Sequence, residues 1–154
     1  SSYSFWYLII HYEWYMQNAD IAFLKKHRVY IINLIDLIDS KINEDGTEEF
    51  GSFKFLDWPS TPNKEGVEAG YRALLVWALN DAKKLSEILD SKESADKCVA
   101  SIKKLNKKIM GHNDLKQAAA LMAVIELFNI VTVGVEADVT LIDLIIYVSV
   151  TKGF

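Results

Sequence analysis

The sequence predicts an all-α fold in which antiparallel helical hairpins form two layers. Apolar residues recur at three- and four-residue steps over most of the chain. Helices that are apolar almost all round alternate with helices that carry a charged face. A helix without a polar face has to be covered on more than one side, whereas an amphipathic helix keeps one face in water. This alternation indicates hairpins with one inner and one outer helix, and three such hairpins would make half of an (α/α)6 toroid.

Length and composition limit the possible architectures and partners. The chain has 154 residues, and we expect residues 1–154 to form a single all-α domain. Hydrophobic residues make up 51% and charged residues 25%, enough apolar surface for a packed core. The net charge is −4, and no basic cluster is flanked by aromatic residues, so nucleic acid is not expected as a partner. No uncharged apolar run reaches the ~20 residues of a membrane span, so no membrane partner is expected.

No metal or cofactor is predicted. Cys98 is the only cysteine, so an internal disulfide and a cysteine-based zinc site are excluded. His27 and His112 have no partner at metal-ligand spacing. The sequence contains no Gly-rich phosphate loop and no nucleophile elbow. These features leave the compartment open, and a secreted, periplasmic or cytoplasmic parent protein is compatible with them.

The first two predicted helices differ in polarity. Helix one, over residues 4–17, leaves almost no polar face, so we expect it to be buried on more than one side. Residues 18–20 then form a turn that ends in the N-cap Asp20. Helix two, over residues 21–42, has an apolar stripe with its charges mostly elsewhere, and a turn follows at residues 43–46.

The second half of the chain repeats this alternation. Helix three, from residue 64 or 65 to 89, is apolar on several sides in its first half. Helix four, over residues 94–110, has a narrow apolar stripe, and six lysines from Lys92 to Lys108 cover much of the rest. Helix five, over residues 115–128, is again apolar nearly all round. Residues 130–135 are β-branched around a glycine and are expected to be extended, and a sixth helix is predicted over residues 138–148.

One irregular stretch, Phe50 to Ser60, interrupts the helices and contains four aromatic residues. Pro59 biases Trp58 away from helical dihedral angles, so the indole is presented from a loop. Loops on rigid scaffolds are where binding groups concentrate. An indole face beside the Asp57 carboxylate suits a sugar, because the C–H face of the sugar stacks on the ring and the carboxylate accepts hydroxyl hydrogens. The alternative is a packed loop in which Trp58 fills the interior.

Several segments, in this order and spacing, resemble the catalytic domain of α-L-rhamnosidase-like glycoside hydrolases. They are Tyr3-Ser4-Phe5-Trp6-Tyr7, Asn18-Ala19-Asp20-Ile21-Ala22-Phe23-Leu24, Phe55-Leu56-Asp57-Trp58-Pro59 and Glu65-Gly66-Val67 before a long Ala/Leu helix. Asn18-Ala19 stands where the family usually has Thr-Gly. The chain ends in Thr151-Lys152-Gly153-Phe154, which looks like the start of a further family segment. The resemblance runs from Ser2 to about Leu127 and is poor from Phe128 to Val150.

The resemblance implies an (α/α)6 barrel and inverting hydrolysis of α-L-rhamnosides. In that mechanism a carboxylic acid protonates the leaving oxygen while a carboxylate ~6.5–9.5 Å away activates water on the opposite face. In the family, one of these groups lies upstream and the other downstream of the region matched here. We therefore expect this chain to be a fragment that lacks both catalytic carboxylates and is inactive alone.

The same resemblance implies which residues bind the sugar. Asp57 and Trp58 match the loop whose tryptophan lines the sugar pocket in the family. Tyr3 and Trp6, at the start of an inner helix, are further candidates, as is Glu65. The expected partner of the parent protein is thus a carbohydrate, a rhamnoside.

A function of another class also fits the sequence. A helical-hairpin interaction module, of the repeat-solenoid kind, would use all of these aromatic residues as core. A fragment of a toroid would moreover leave inner-ring surface uncovered, which predicts self-association or marginal stability.

The remaining polar residues have structural interpretations. Glu65 and Glu68 at a helix start complement the helix dipole. Asp36, Asp39 and the acidic residues of the 44–49 cluster are predicted to be solvated. His11 is predicted to be a buried histidine with satisfied hydrogen bonds, and Cys98 a small core residue.

Overall fold

A computed structural model describes residues 2–51, 54–56, 62–108, 110, 111 and 115–132, with side chains up to residue 125 in the last helix. It contains helices α1 (Ser2–Asn18), α2 (Ile21–Asp39), α3 (Lys64–Ile88), α4 (Lys92–Leu105) and α5 (Lys116–Thr132). Within these ranges the only β-type pairing is an isolated antiparallel bridge between Ile42 and Glu48. The all-α prediction is therefore confirmed.

Side-chain caps fix where two of the helices begin. Asp20 accepts a hydrogen bond of 2.9 Å from the backbone N–H of Phe23 at the start of α2, as predicted. Asn63 accepts one of the same length from Gly66 at the start of α3. Each cap satisfies a backbone donor that has no partner inside its helix.

Three predicted boundaries differ from the structure. Helix α4, predicted over residues 94–110, spans Lys92–Leu105 and is followed by the C-cap Asn106. Helix α2 ends at Asp39 rather than at residue 42, because the chain turns back so that Asn43 donates to the carbonyl of Thr47. Residues 130–132, predicted to be extended, instead continue α5. Extending an existing helix costs little once it is nucleated, and this outweighs the weak strand preference of β-branched residues. The rest of 130–135 and the predicted helix at 138–148 lie outside the described residues.

The helices are arranged in two layers around α3. Helix α3 contacts α1 on one flank and α5 on the other, while α1 and α5 do not contact each other. Helix α2 packs on α4 as well as on α1, and α4 packs on α3. Helices α1, α3 and α5 therefore lie side by side in one layer, with α2 and α4 in the second.

The three helices of the first layer start at the same end. Phe5 of α1 packs on Tyr71 of α3, and further along Tyr12 lies beneath the Lys84 amino group. On the other flank the first turn of α3 approaches Leu115, and Gly70 approaches Ala118 of α5. Residue numbers rise together across both seams, so the three helices run in the same direction. Short connections then make α2 and α4 the returning helices of their hairpins.

Most of the core is supplied by α3. Its buried residues run from Gly66 to Ser86 and occupy nearly every position of the first half of the helix. Leu74, Leu75 and Leu79 are completely inaccessible to solvent. The prediction that this half is covered on more than one side is confirmed, because α1, α4 and α5 surround it. Cys98 of α4 is also buried in this core, as predicted.

Helix α1 is buried on more than one side, as predicted, and one further flank is exposed. It contacts α2 and α3 and buries Phe5, Leu8 and Ile9 between them. Tyr3 and Ile10 are exposed, because no described part of the chain packs against that flank. An apolar sequence therefore did not guarantee burial all round.

A buried ion pair ties the loop after α2 to the core. Arg72 donates to the Glu48 carboxylate at 2.5 Å, and their side chains are only 8% and 4% exposed. The guanidinium also donates to the carbonyls of Gly46 at 2.7 Å and Leu105 at 2.9 Å. The prediction of a solvated acidic cluster at 44–49 is thus wrong for Glu48. The charges within residues 44–49 alone could not show that Arg72 of α3 lies beside Glu48.

We expect Arg72→Met to lower the free energy of unfolding by about 3–5 kcal/mol, because it removes the guanidinium from the buried Glu48 carboxylate and from the Gly46 and Leu105 carbonyls, and leaves Lys54 as the remaining cation beside Glu48. The control is Lys83→Met, which makes the same change of charge at the exposed i,i+4 pair with Glu87. It should cost about 0.5 kcal/mol or less. Urea unfolding followed by circular dichroism measures both, and equal losses would contradict the role assigned to Arg72.

Candidate functional site

The segment before the Asp57-Trp58 loop crosses the first half of α3. Phe50 packs edge-on against Phe5, with ring centroids 5.5 Å apart, and lies 6.1 Å from the Tyr71 ring. Leu56 reaches the opposite flank, where a Cβ added to Gly70 would stand 2.6 Å from its Cδ2 atom. The same Cβ would be 3.3 Å from Ala118 of α5. The segment therefore runs from the α1–α3 seam to the α3–α5 seam.

Glycines on α3 permit this close packing. Besides Gly70, Gly66 faces the start of α5, where an added Cβ would be 2.6 Å from the Cβ of Leu115. It would also lie 2.9 Å from the side-chain nitrogen of the cap Asn63. A side chain at either position would force apart elements that meet near the starts of α3 and α5.

Charged groups lie close to the Tyr71 ring beneath this segment. The Lys54 amino group is 3.1 Å from Glu48, 3.9 Å from Glu68 and 5.8 Å from the centre of the Tyr71 ring. Burial, and secondarily the Glu48 carboxylate, raise the pKa of Tyr71 to about 12. Tyr71 therefore stays neutral at physiological pH and serves as a rigid packing surface rather than as an acid or base.

The structure brings together some of the predicted sugar-binding residues. Tyr3 and Trp6 lie in the first turns of α1, and Glu65 lies in the first turn of α3, as the helix-dipole interpretation requires. Because α1 and α3 start at the same end, these three residues share that end of the layer. Trp6 is partly covered by Trp77, edge-on at 5.7 Å. Asp57 and Trp58 lie outside the described residues, and their role stays a prediction.

A cluster of histidine and aromatic rings fills the seam between α1 and α2. His11 lies against Tyr7 with ring centroids 3.9 Å apart and stacks on Phe23 at 5.7 Å. Its Nδ1 donates to the Tyr7 carbonyl at 2.8 Å, while Nε2 is buried without a hydrogen-bond partner. The prediction of a fully satisfied histidine is wrong for that nitrogen. Burial, and to a lesser extent His27, lower the pKa of His11, so the ring favours its neutral form.

A buried carboxylate lies in the seam between α1 and α3. Asp81 is 1% exposed, and burial raises its pKa to about 6. The Lys84 amino group, 3.3 Å away, offsets part of this effect, and the negative charge of Glu13 on α1 adds to it. A raised pKa is one sign of a catalytic acid, but substrate cannot reach a carboxylate so deeply enclosed.

A cavity of about 340 Å³ opens between α3, α5 and the end of α4. Its walls are mostly apolar, and the buried Arg72 contributes the charge on α3. The terminal nitrogens of that guanidinium bind Glu48 and two backbone carbonyls, whereas its Nε–H is buried without a hydrogen-bond partner among the described residues. The lining residues are Ala69, Arg72, Ala73, Val76, Leu105, Asn106, Lys108, Met110, Met122 and Ile125.

Among the described residues, no group of three or more His, Cys, Asp or Glu side chains is placed to hold a metal ion. The described helices also include none with both the length and the apolar content to cross a membrane.

Three functional-looking residues went unrecognised in the sequence: Arg72, Asp81 and Lys54. A usable signal existed for two of them. Arg72 and Asp81 are charged residues inside a helix whose neighbouring positions are predicted to be buried. Charged residues are rarely buried without a partner, so each implies a partner elsewhere in the chain. The identity of that partner depends on the tertiary structure.

No family model matches the chain, and its comparison with curated proteins and with solved structures gives no significant match. Function is therefore inferred from the residues and their geometry.

We expect Gly66→Ala to destabilise the protein by about 1–3 kcal/mol, since the new methyl group overlaps Leu115 and pushes the start of α5 away from α3. In an open helix the same change would instead stabilise by about 1 kcal/mol. Gly111→Ala is the control, because among the described residues no atom beyond its chain neighbours lies within 4 Å of its added Cβ. Urea unfolding compares the two, and a stabilising Gly66→Ala would mean that α3 and α5 are not in close contact.

We expect Asp81→Asn to stabilise the protein by about 3 kcal/mol at pH 7.5 and by little at pH 4. The pKa of Asp81 is higher in the folded state, about 6, than the ordinary value of 3.8. Folding therefore favours the protonated form, and stability falls as pH rises through this window. The exposed Asp96→Asn is the control. Thermal melts at both pH values test this, and a pH-independent difference would contradict it.

Proposed function

We propose that this chain is part of the (α/α)6 catalytic domain of a glycoside hydrolase similar to the inverting α-L-rhamnosidases. In this proposal it contributes sugar-binding side chains from the loop before α3, while both catalytic carboxylates belong to other parts of the domain. No cofactor is needed for such a reaction.

The observation that carries the proposal is the order of the helix contacts. Helices α1, α3 and α5 run side by side in one direction, and α2 and α4 return in a second layer. An (α/α)6 toroid requires this relation between successive hairpins. A simple five-helix bundle would instead bring α1 and α5 together, which the described contacts do not.

The path of the irregular segment is the second support. In toroids of this kind, sites lie where loops cross the end of the inner ring. Phe50 and Leu56 fix the segment across α3, and the chain re-enters the helix at the cap Asn63. Asp57 and Trp58 follow Leu56 directly, and in this proposal their carboxylate and indole contact the sugar. Tyr3, Trp6 and Glu65, from the same end of the layer, complete the mouth of the pocket.

Two buried carboxylates, Asp81 and Glu48, are not available as a catalytic acid or base. Asp81, with its raised pKa, is enclosed between α1 and α3. Glu48 is committed to Arg72 and Lys54.

A second candidate function is a helical-hairpin interaction module. The observation that favours it is the exposed flank of the first hairpin, where Tyr3 and Ile10 of α1 and Tyr30 of α2 are accessible. Contiguous exposed apolar surface marks an interaction site.

The test is hydrolysis of an aryl α-L-rhamnoside by this chain and by the same domain extended at both ends from its gene. We expect only the extended form to turn over. In that form Trp58→Ala should raise KM about tenfold with kcat nearly unchanged, because it removes binding common to ground and transition states. Trp14→Ala, a tryptophan in the α1–α2 seam against Phe23, is the control and should leave KM unchanged.

The other outcomes identify which part of the proposal fails. Turnover by this chain alone would show that it contains the catalytic carboxylates, with Asp57 and Glu65 as the first residues to substitute. Absence of turnover in both forms would remove the rhamnosidase proposal and favour the interaction module.

A further inference from the structure

One flank of α1 presents a stripe of four residues: Tyr3, Trp6, Ile10 and Glu13. Their spacing of three, four and three places them on one face of the helix. Tyr3 is 73% exposed, Trp6 37% and Ile10 59%, and Glu13 is also exposed. Helices α2 and α3 cover the other flanks of α1. The stripe is therefore an accessible apolar surface that ends in a single carboxylate.

The apolar surface continues onto α2. Tyr30 is exposed, and its ring contacts the Tyr7 ring on α1 at 4.7 Å. Single exposed apolar side chains are common on proteins, but a contiguous group at helical spacing marks a contact surface.

We propose that this stripe is the interface of a homodimer, in which α1 of one copy packs antiparallel on α1 of a second copy about a two-fold axis. The spacing is symmetric when the helix direction is reversed. With the axis midway between Trp6 and Ile10, each Trp6 faces the partner's Ile10, and each Tyr3 faces the partner's Glu13. One patch is thus complementary to itself, as a two-fold interface requires.

Charge selects the antiparallel orientation. The N-terminus of α1 carries the partial positive charge of the helix dipole, and its first turn contains no acidic residue to offset it. In the antiparallel pair, Glu13 of each copy lies beside the N-terminus of α1 in the other copy. The Tyr3 hydroxyl of that other copy donates a hydrogen bond to the Glu13 carboxylate. A parallel pair would place like charges together at both ends, which is unfavourable.

The size of the stripe sets the strength of the dimer. A stable interface of standard size buries about 800 Å² on each partner and involves roughly 20–30 residues a side. Four stripe residues and Tyr30 form a smaller surface, so we expect a dissociation constant in the micromolar range, about 1–100 µM. This inference does not rest on the proposed hydrolase function, in which a further hairpin of the parent domain would cover the same flank of α1. A sugar bound at Tyr3 and Trp6 would compete with the dimer.

Sedimentation of the full chain over a concentration series tests the interface. We expect a monomer–dimer equilibrium whose dissociation constant rises at least tenfold in Ile10→Lys, because that change puts two lysines into the contact. Val29→Lys is the matched control, since Val29 is 69% exposed on α2 outside the stripe, and it should leave the equilibrium unchanged. Glu13→Lys is a second variant at an exposed position, and it should weaken the dimer most at low salt.

Cross-linking tests the orientation. Positions 3 and 13 are about 15 Å apart along α1, too far for one disulfide to bridge like positions in an antiparallel pair. Tyr3→Cys mixed with Glu13→Cys should therefore form a disulfide-linked dimer, whereas neither variant alone should do so. The native Cys98 is buried and does not take part.

Three results would overturn the proposal. They are a monomer at about 100 µM, a dimer as tight in Ile10→Lys and Glu13→Lys as in the unsubstituted chain, and rapid cross-linking of Tyr3→Cys with itself, which would mean a parallel pair. Circular dichroism melts of each variant show that a lost dimer is not a lost fold.

Discussion

The buried guanidinium of Arg72 holds together parts of the chain that are distant in sequence. It binds the Gly46 carbonyl and the Glu48 carboxylate in the loop after α2, and the Leu105 carbonyl at the end of α4. A buried charge is costly unless it is paired and hydrogen-bonded, so these partners have to stay in place together. The loop that they fix continues into Phe50 and Leu56, and thereby sets where the irregular segment crosses α3.

The arrangement of contacts between the helices links the buried Arg72 interactions to the proposed function. Because α3 is covered by α1 and α5 on its flanks and by α4 behind, its first half is almost wholly apolar and contains glycines where neighbours come close. The starts of the three parallel helices then gather at one end. A loop anchored there is held by a rigid frame, which is the condition for positioning sugar-binding groups.

The exposed flank of α1 is the other consequence of the layered arrangement. The first hairpin, formed by α1 and α2, has two edges. The second hairpin, formed by α3 and α4, covers only one of them. Tyr3 and Ile10 lie on the remaining edge, where only a second molecule or a further part of a longer chain can cover them. The interaction module and the hydrolase fragment thus differ in what occupies this edge and share one architecture.

The sequence by itself determined the helical class, the cap Asp20 and the burial of the first half of α3, because apolar periodicity and capping are local properties. It also indicated the Asp57-Trp58 loop as a sugar site through residue chemistry and resemblance. Only the tertiary structure decided which helices are neighbours, that Glu48 is buried against Arg72, that burial raises the pKa of Asp81 to about 6 and that one flank of α1 is bare. Each of these depends on contacts between groups that are far apart in the chain, and a local sequence pattern does not show such contacts.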